Sequence, residues 1–148
     1  MTTSSASLPI GKYRLGMSTD GLTGLNEFSE TEYSIYGRNF NSERNFHAPG
    51  VQWMNCWWNV DLGAVRGKVY KIALYFESSS RDAVIDVSME LMQYLQQRLG
   101  EPSEQQPTIY IWDMAEGNVV MQFGKVGATY MINLFETSMA ARSFLQRR

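Results

Sequence analysis

VQWMNCWWNV, residues 51–60, sets three tryptophans within six positions, and how this stretch is read decides the fold. In one uninterrupted strand, successive side chains point to opposite faces. Met54, Cys56, Trp58, Val60 and Leu62 then line one face, and Trp53, Asn55, Trp57 and Asn59 line the other. The first is an ordinary core face. The second carries two large aromatics among amides.

The neighbouring segment repeats the pattern. After a turn in LGAVRG, where Gly67 accepts a positive φ, KVYKIALYFE (68–77) puts Tyr70, Ile72, Leu74 and Phe76 on one side. Lys71, Ala73 and Tyr75 go to the other side. If the two strands pair, Trp53, Trp57 and Tyr75 share one face of the sheet.

Residues 79–99 carry the clearest helical signal. Val84, Val87, Leu91, Leu95 and Leu99 recur at steps of three and four, giving one apolar stripe. Ser79 or Ser80 caps its start, Asp82 suits the first turn, and Gly100 and Pro102 end it. A meander follows, TIYIWDM, NVVMQFG and ATYMINLF, joined by AEGN and GKVG, both good hairpin sequences.

Upstream, LGMSTDGLTGLNEF (15–28) reads as a short helix capped by Ser18. Met17 and Leu22 are placed as a hydrophobic staple, and Leu22, Leu25 and Phe28 need a surface to dock on. Residues 31–40 alternate as a strand, GRNFNSERNFHAPG (37–50) reads as a polar loop, and TSMAARSFLQRR (137–148) reads as a final helix. The expected order is αβββ–αβββ–α. That is an α+β fold, with antiparallel meanders and helices packed on one face. Residues 1–10 are expected to form a flexible leader, and 11–148 a single domain.

Composition narrows the function classes. A chain of 148 residues with 44% hydrophobic and 13% aromatic content suits one domain with a real core. The net charge of −2 and the lack of a Lys/Arg cluster argue against nucleic-acid binding. No run of about 18 apolar residues is present, so no membrane-spanning segment is expected. Cys56 stands alone and falls on the core face, where a free cysteine is usually a small buried hydrophobe. The N-terminus MTTSSASLPIG lacks the charged and apolar regions of a signal peptide. It fits either a cytoplasmic chain or an exported, periplasmic domain whose leader has been removed.

No motif supplies a catalytic, metal or cofactor site. His47 is the only imidazole, no G-x-S-x-G elbow exists, and the glycines match neither phosphate-binding pattern. Asp61, Glu77 and Asp113 read as solvated strand edges. What remains is recognition. Trp53, Trp57, Tyr75 and Asn55 form an aromatic-and-amide face of the kind that anchors protein partners, and Arg38, Arg44 and Phe46 in the 37–50 loop supply its rim.

RLGMSTDGL (14–22), GKVYKIALYF (67–76), LQQRLGEPS (95–103) and IYIWDM (109–114) together resemble small bacterial exported α+β proteins of the β-lactamase-inhibitor (BLIP-like) and outer-membrane-assembly (BamE-like) types. The resemblance implies a helical layer behind an antiparallel sheet whose other surface binds a protein. It would assign Trp53, Trp57 and Tyr75 to recognition. The chain departs from those types in lacking a lipobox cysteine and a cysteine pair, and in having more elements. The expected function is a non-enzymatic protein-binding domain of inhibitor, immunity or envelope-adaptor type, with the partner's identity open. The alternatives are a small-ligand-binding or enzymatic pocket between sheet and helices, and an acidic chaperone-like homodimer.

Overall fold

The computed structural model of the chain describes residues 13–28, 33–34, 37–38, 43–115 and 117–138. Its frame is one 8-stranded antiparallel sheet. In chain order the strands are β1 (Asn26–Phe28), β2 (Tyr33–Ser34), β3 (Gly37–Arg38), β4 (Arg44–Trp53), β5 (Cys56–Val65) and β6 (Lys68–Ser78). After helix α1 (Arg81–Leu99) come β7 (Glu104–Gln105), β8 (Ile109–Met114), β9 (Gly117–Val126) and β10 (Thr129–Ser138). The sheet runs β1-β4-β5-β6-β10-β9-β8-β7, while β2 and β3 form a separate small ladder.

This corrects the expected α+β order with several helices. The described residues contain one α-helix on a single sheet, because β6 pairs antiparallel with β10, Leu74 opposite Leu134, and so fuses the two meanders. The expected first helix is only a 3-10 turn, Thr19–Leu22. Ser18 does cap it, its hydroxyl accepting from the Asp20 amide at 3.2 Å. Two glycines in the segment weaken helix by about 1 kcal/mol each, and Gly24 sits at φ +95. The chain therefore turns, and residues 26–28 become β1. Thr137 and Ser138 belong to β10, and the rest of the expected final helix lies outside the described residues, as do the leader and most of 31–40.

Helix α1 forms where its periodicity placed it. The Ser80 hydroxyl accepts from the Ala83 amide at 3.2 Å, and the Gly100 amide, at φ +82, donates to Gln96 O at 2.9 Å. Its Val84, Leu91 and Leu95 are buried on one sheet face with Phe46, Trp58, Val60, Leu62, Ile72, Leu74, Trp112, Met121, Ile132 and Leu134. Trp112 Nε1 donates to Gly100 O at 2.9 Å, tying the helix end to β8. Before β1, the chain binds the start of β6 through Gly16 N to Val69 O (2.7 Å) and Val69 N to Met17 O (2.9 Å). This brings Tyr13 and Leu22 into the same core.

The quoted stretch is not one strand. Met54 and Asn55 both have positive φ, +52 and +61, and Trp53 faces Cys56 across them. That is the geometry of a two-residue type I′ hairpin, whose twist matches its flanking strands. The β5–β6 turn has the same signature at Arg66 and Gly67, φ +56 and +78. A substitution with opposite signs in the two readings tests the turn. Asn55→Val puts a β-branched residue at φ +61 and should destabilise by about 1–2 kcal/mol, whereas in a straight strand valine would be the better residue. Urea unfolding of the variant measures this directly.

The expected 37–50 loop is likewise corrected, because residues from Arg44 onward are strand. Within β4 the register shifts between Ala48 and Val51, with Gly50 at φ +70. This is a β-bulge at Pro49-Gly50, where proline's missing N–H costs the ladder least.

Candidate functional site

The hairpin turn sends the two key tryptophans to opposite faces, contrary to the expectation that they lie together. Trp53 turns toward α1. Its ring meets Tyr94 edge-on at 5.4 Å and Trp58 at 5.8 Å. Trp57, paired with Gln52, points away from the helix and is 63% exposed. Gly50 lies close by, where a Cβ would sit 3.9 Å from the indole, an ordinary contact.

The remaining candidates divide similarly. Tyr75 is half-buried on the Trp57 face, opposite Asn59, and continues through Asn133 to Gln122 across four strands. Asn55 is exposed in the turn. Phe46 is 4% exposed in the core under α1. Arg44 forks onto Glu27 with two hydrogen bonds of 2.8 Å and covers the Phe46 ring at 5.1 Å. This pairing holds the exposed Glu27 carboxyl below the usual range. Arg38 is described only through its backbone pairing with Tyr33. The set expected to form one surface is thus reduced to Trp57, Tyr75 and Asn55.

Other residues join them. Strand parity puts Met131 and Val126 on the Trp57 face, and Val126 is 67% exposed. Trp57, Val126 and Met131 all lie at the end of the sheet that carries the β4–β5 and β9–β10 turns. That face thus mixes exposed Trp57 and Val126 with exposed Gln52, Glu77 and Asp113 and the half-buried amides Asn59, Asn133 and Gln122.

Further along the same face, His47 Nδ1 lies 2.6 Å from Asp61 Oδ1, with both side chains largely covered. The sequence places His47 in the 37–50 loop, but it lies in β4. The hairpin register carried through unbroken would set it opposite Leu62, and only the bulge moves its partner to Asp61. The adjacent row holds a buried ion pair, Lys71 Nζ to Glu43 Oε2 at 2.8 Å, with the Tyr70 hydroxyl donating to Glu43 Oε1 at 2.5 Å. A second bulge, between Gly63 and Ala64, aims the successive residues Tyr70 and Lys71 at one carboxylate.

Burial, the Glu90 charge nearby and a weak opposing contact from Trp58 leave the Cys56 thiol above its ordinary pKa, the reverse of what activates a thiolate. Burial also raises the Tyr94 phenol. Among the described residues, no group of three or more His, Cys, Asp and Glu side chains is placed to hold a metal ion. No described helix is long and apolar enough to cross a membrane.

Comparison with protein-family models, with curated proteins and with solved structures finds no match to this chain.

Proposed function

We propose that this chain is a non-enzymatic protein-binding domain that docks its partner on the sheet face opposite α1, with Trp57 as the anchor. The observation that carries this reading is the 63% exposure of the Trp57 indole. It stands on the β4–β5 hairpin, next to the strand that carries half-buried Tyr75, at the same end of the sheet as half-buried Met131 two strands away and exposed Val126 three strands away. Tryptophan and tyrosine dominate binding energies at interfaces because they bury large area at small entropic cost. The surrounding amides suit the polar rim of such a contact.

The test compares wild type with Trp57→Ala in crosslinked capture from the source cell. Because Trp57 lies outside the core, the variant should keep its stability within about 0.5 kcal/mol. It should lose a specifically captured protein by about tenfold or more. Identical capture by both proteins would remove the face from the interaction. Loss of capture on His47→Gln alone would move the site to the polar cluster around Asp61.

A further inference from the structure

Arg44 shows how this chain holds a guanidinium. Glu27 and Phe46 are cross-strand partners on β1 and β4. Arg44 forks onto the Glu27 carboxylate with two bonds of 2.8 Å and lies over the Phe46 ring at 5.1 Å. A carboxylate beside an aromatic ring thus engages both the in-plane donors and the cationic face of the group.

Trp57 and Glu77 repeat that pairing on the sheet face opposite α1. The β5–β6 register sets Asn59 opposite Tyr75, and Trp58 still meets Phe76 at 5.8 Å. One residue further on, Trp57 and Glu77 therefore lie on adjacent strands and on the same face. Both are exposed. Among the described residues, neither makes a side-chain hydrogen bond, an ion pair or a ring contact. The other basic residues of the 8-stranded sheet lie elsewhere. Lys71 is buried against Glu43, Lys125 covers Tyr130 on the α1 side, and Lys68 stands at the β5–β6 turn, the far end of the sheet.

We infer that Trp57 and Glu77 receive an arginine of the partner protein, its guanidinium stacked on the indole and forked onto the carboxylate. Exposed Glu104 and Asp113, further along the same face, extend the charge complementarity to a basic segment around that arginine. The arginine site presupposes that Trp57 docks a protein partner, and it can fail alone.

The probe is a labelled peptide of alternating arginine and glycine, titrated with the full chain and followed by fluorescence anisotropy. It should bind about threefold more tightly than its lysine–glycine counterpart, because a guanidinium both stacks and forks where an ammonium is a point charge. Trp57→Ala should weaken the arginine peptide about fivefold and Glu77→Gln about threefold, the scale of one exposed cation–π contact or ion pair. Glu90→Gln, which removes an equal charge from the exposed side of α1, should leave binding unchanged. Equal losses from Glu77→Gln and Glu90→Gln would overturn the proposal by showing diffuse attraction to an acidic chain. So would full binding by Trp57→Ala. Capture from the source cell separates the two claims: loss on Trp57→Ala with full capture by Glu77→Lys would keep the docking face and remove the arginine.

Discussion

Trp58→Ala should lower the unfolding free energy by about 3–5 kcal/mol, the usual range for removing a fully buried aromatic. The ring is 1% exposed and packs at 5.8 Å against both Trp53 and Phe76. Its Nε1 donates to the Trp53 carbonyl at 2.8 Å, so this residue also closes the hairpin that presents Trp57. Trp58→Phe would keep most of the packing but forfeit that bond, and should cost less. Chemical unfolding followed by far-UV circular dichroism reads both variants. A loss below about 1 kcal/mol for the alanine variant, the scale of a surface change, would contradict the core position. Trp57, one residue away, should show almost no effect in the same experiment.

The second large effect belongs to the ion pair. Lys71→Met should destabilise by about 3–5 kcal/mol, because it removes the cation 2.8 Å from the buried Glu43 carboxylate. The Glu43 side chain is 1% exposed and that of Lys71 8%, so water can do little to replace the lost partner. The double variant Lys71→Met with Glu43→Gln should recover most of that loss. The glutamine is neutral and still offers the Tyr70 hydroxyl an acceptor. If the double variant were no more stable than the single one, the pair would not be the cause. The site is also sterically specific, since a methyl on Gly63 would come within 2.5 Å of Lys71 Cε and 2.9 Å of Glu43 Oε2. Glycine at 63 is what lets the lysine stem lie flat across the strand.

These two residues show where local reading of the chain works. Trp58 belongs to an alternation, Trp58-Val60-Leu62, that names its core face without knowledge of any neighbour. Lys71 reads equally well as an ordinary outward residue of β6, and its burial comes from a bulge and from a carboxylate 28 positions upstream. The exposed tryptophan was legible as a residue on the non-core face, but its companionship with Trp53 was not. A type I′ turn is usually announced by Asn-Gly or Asp-Gly. Here Met-Asn does the work, and methionine gives no sign of accepting positive φ.

What the sequence alone determined are the features whose causes lie within a few residues. Helix α1 follows from its apolar period and its Ser80 and Gly100 caps, the β5–β6 turn from Gly67, and the β8–β9–β10 meander from alternation broken by turn residues. The tertiary structure alone decided that β6 meets β10, that a bulge brings His47 to Asp61, and that Trp53 packs half-buried against Tyr94 while Trp57 stays outside. Alternation assigns side chains to faces within a strand but says nothing about which strand lies alongside. One extra residue in a bulge, or two in a turn, also reverses every face beyond it. The partner of each edge is set by the total apolar area that the assembled sheet and helix remove from water, a quantity no short window contains.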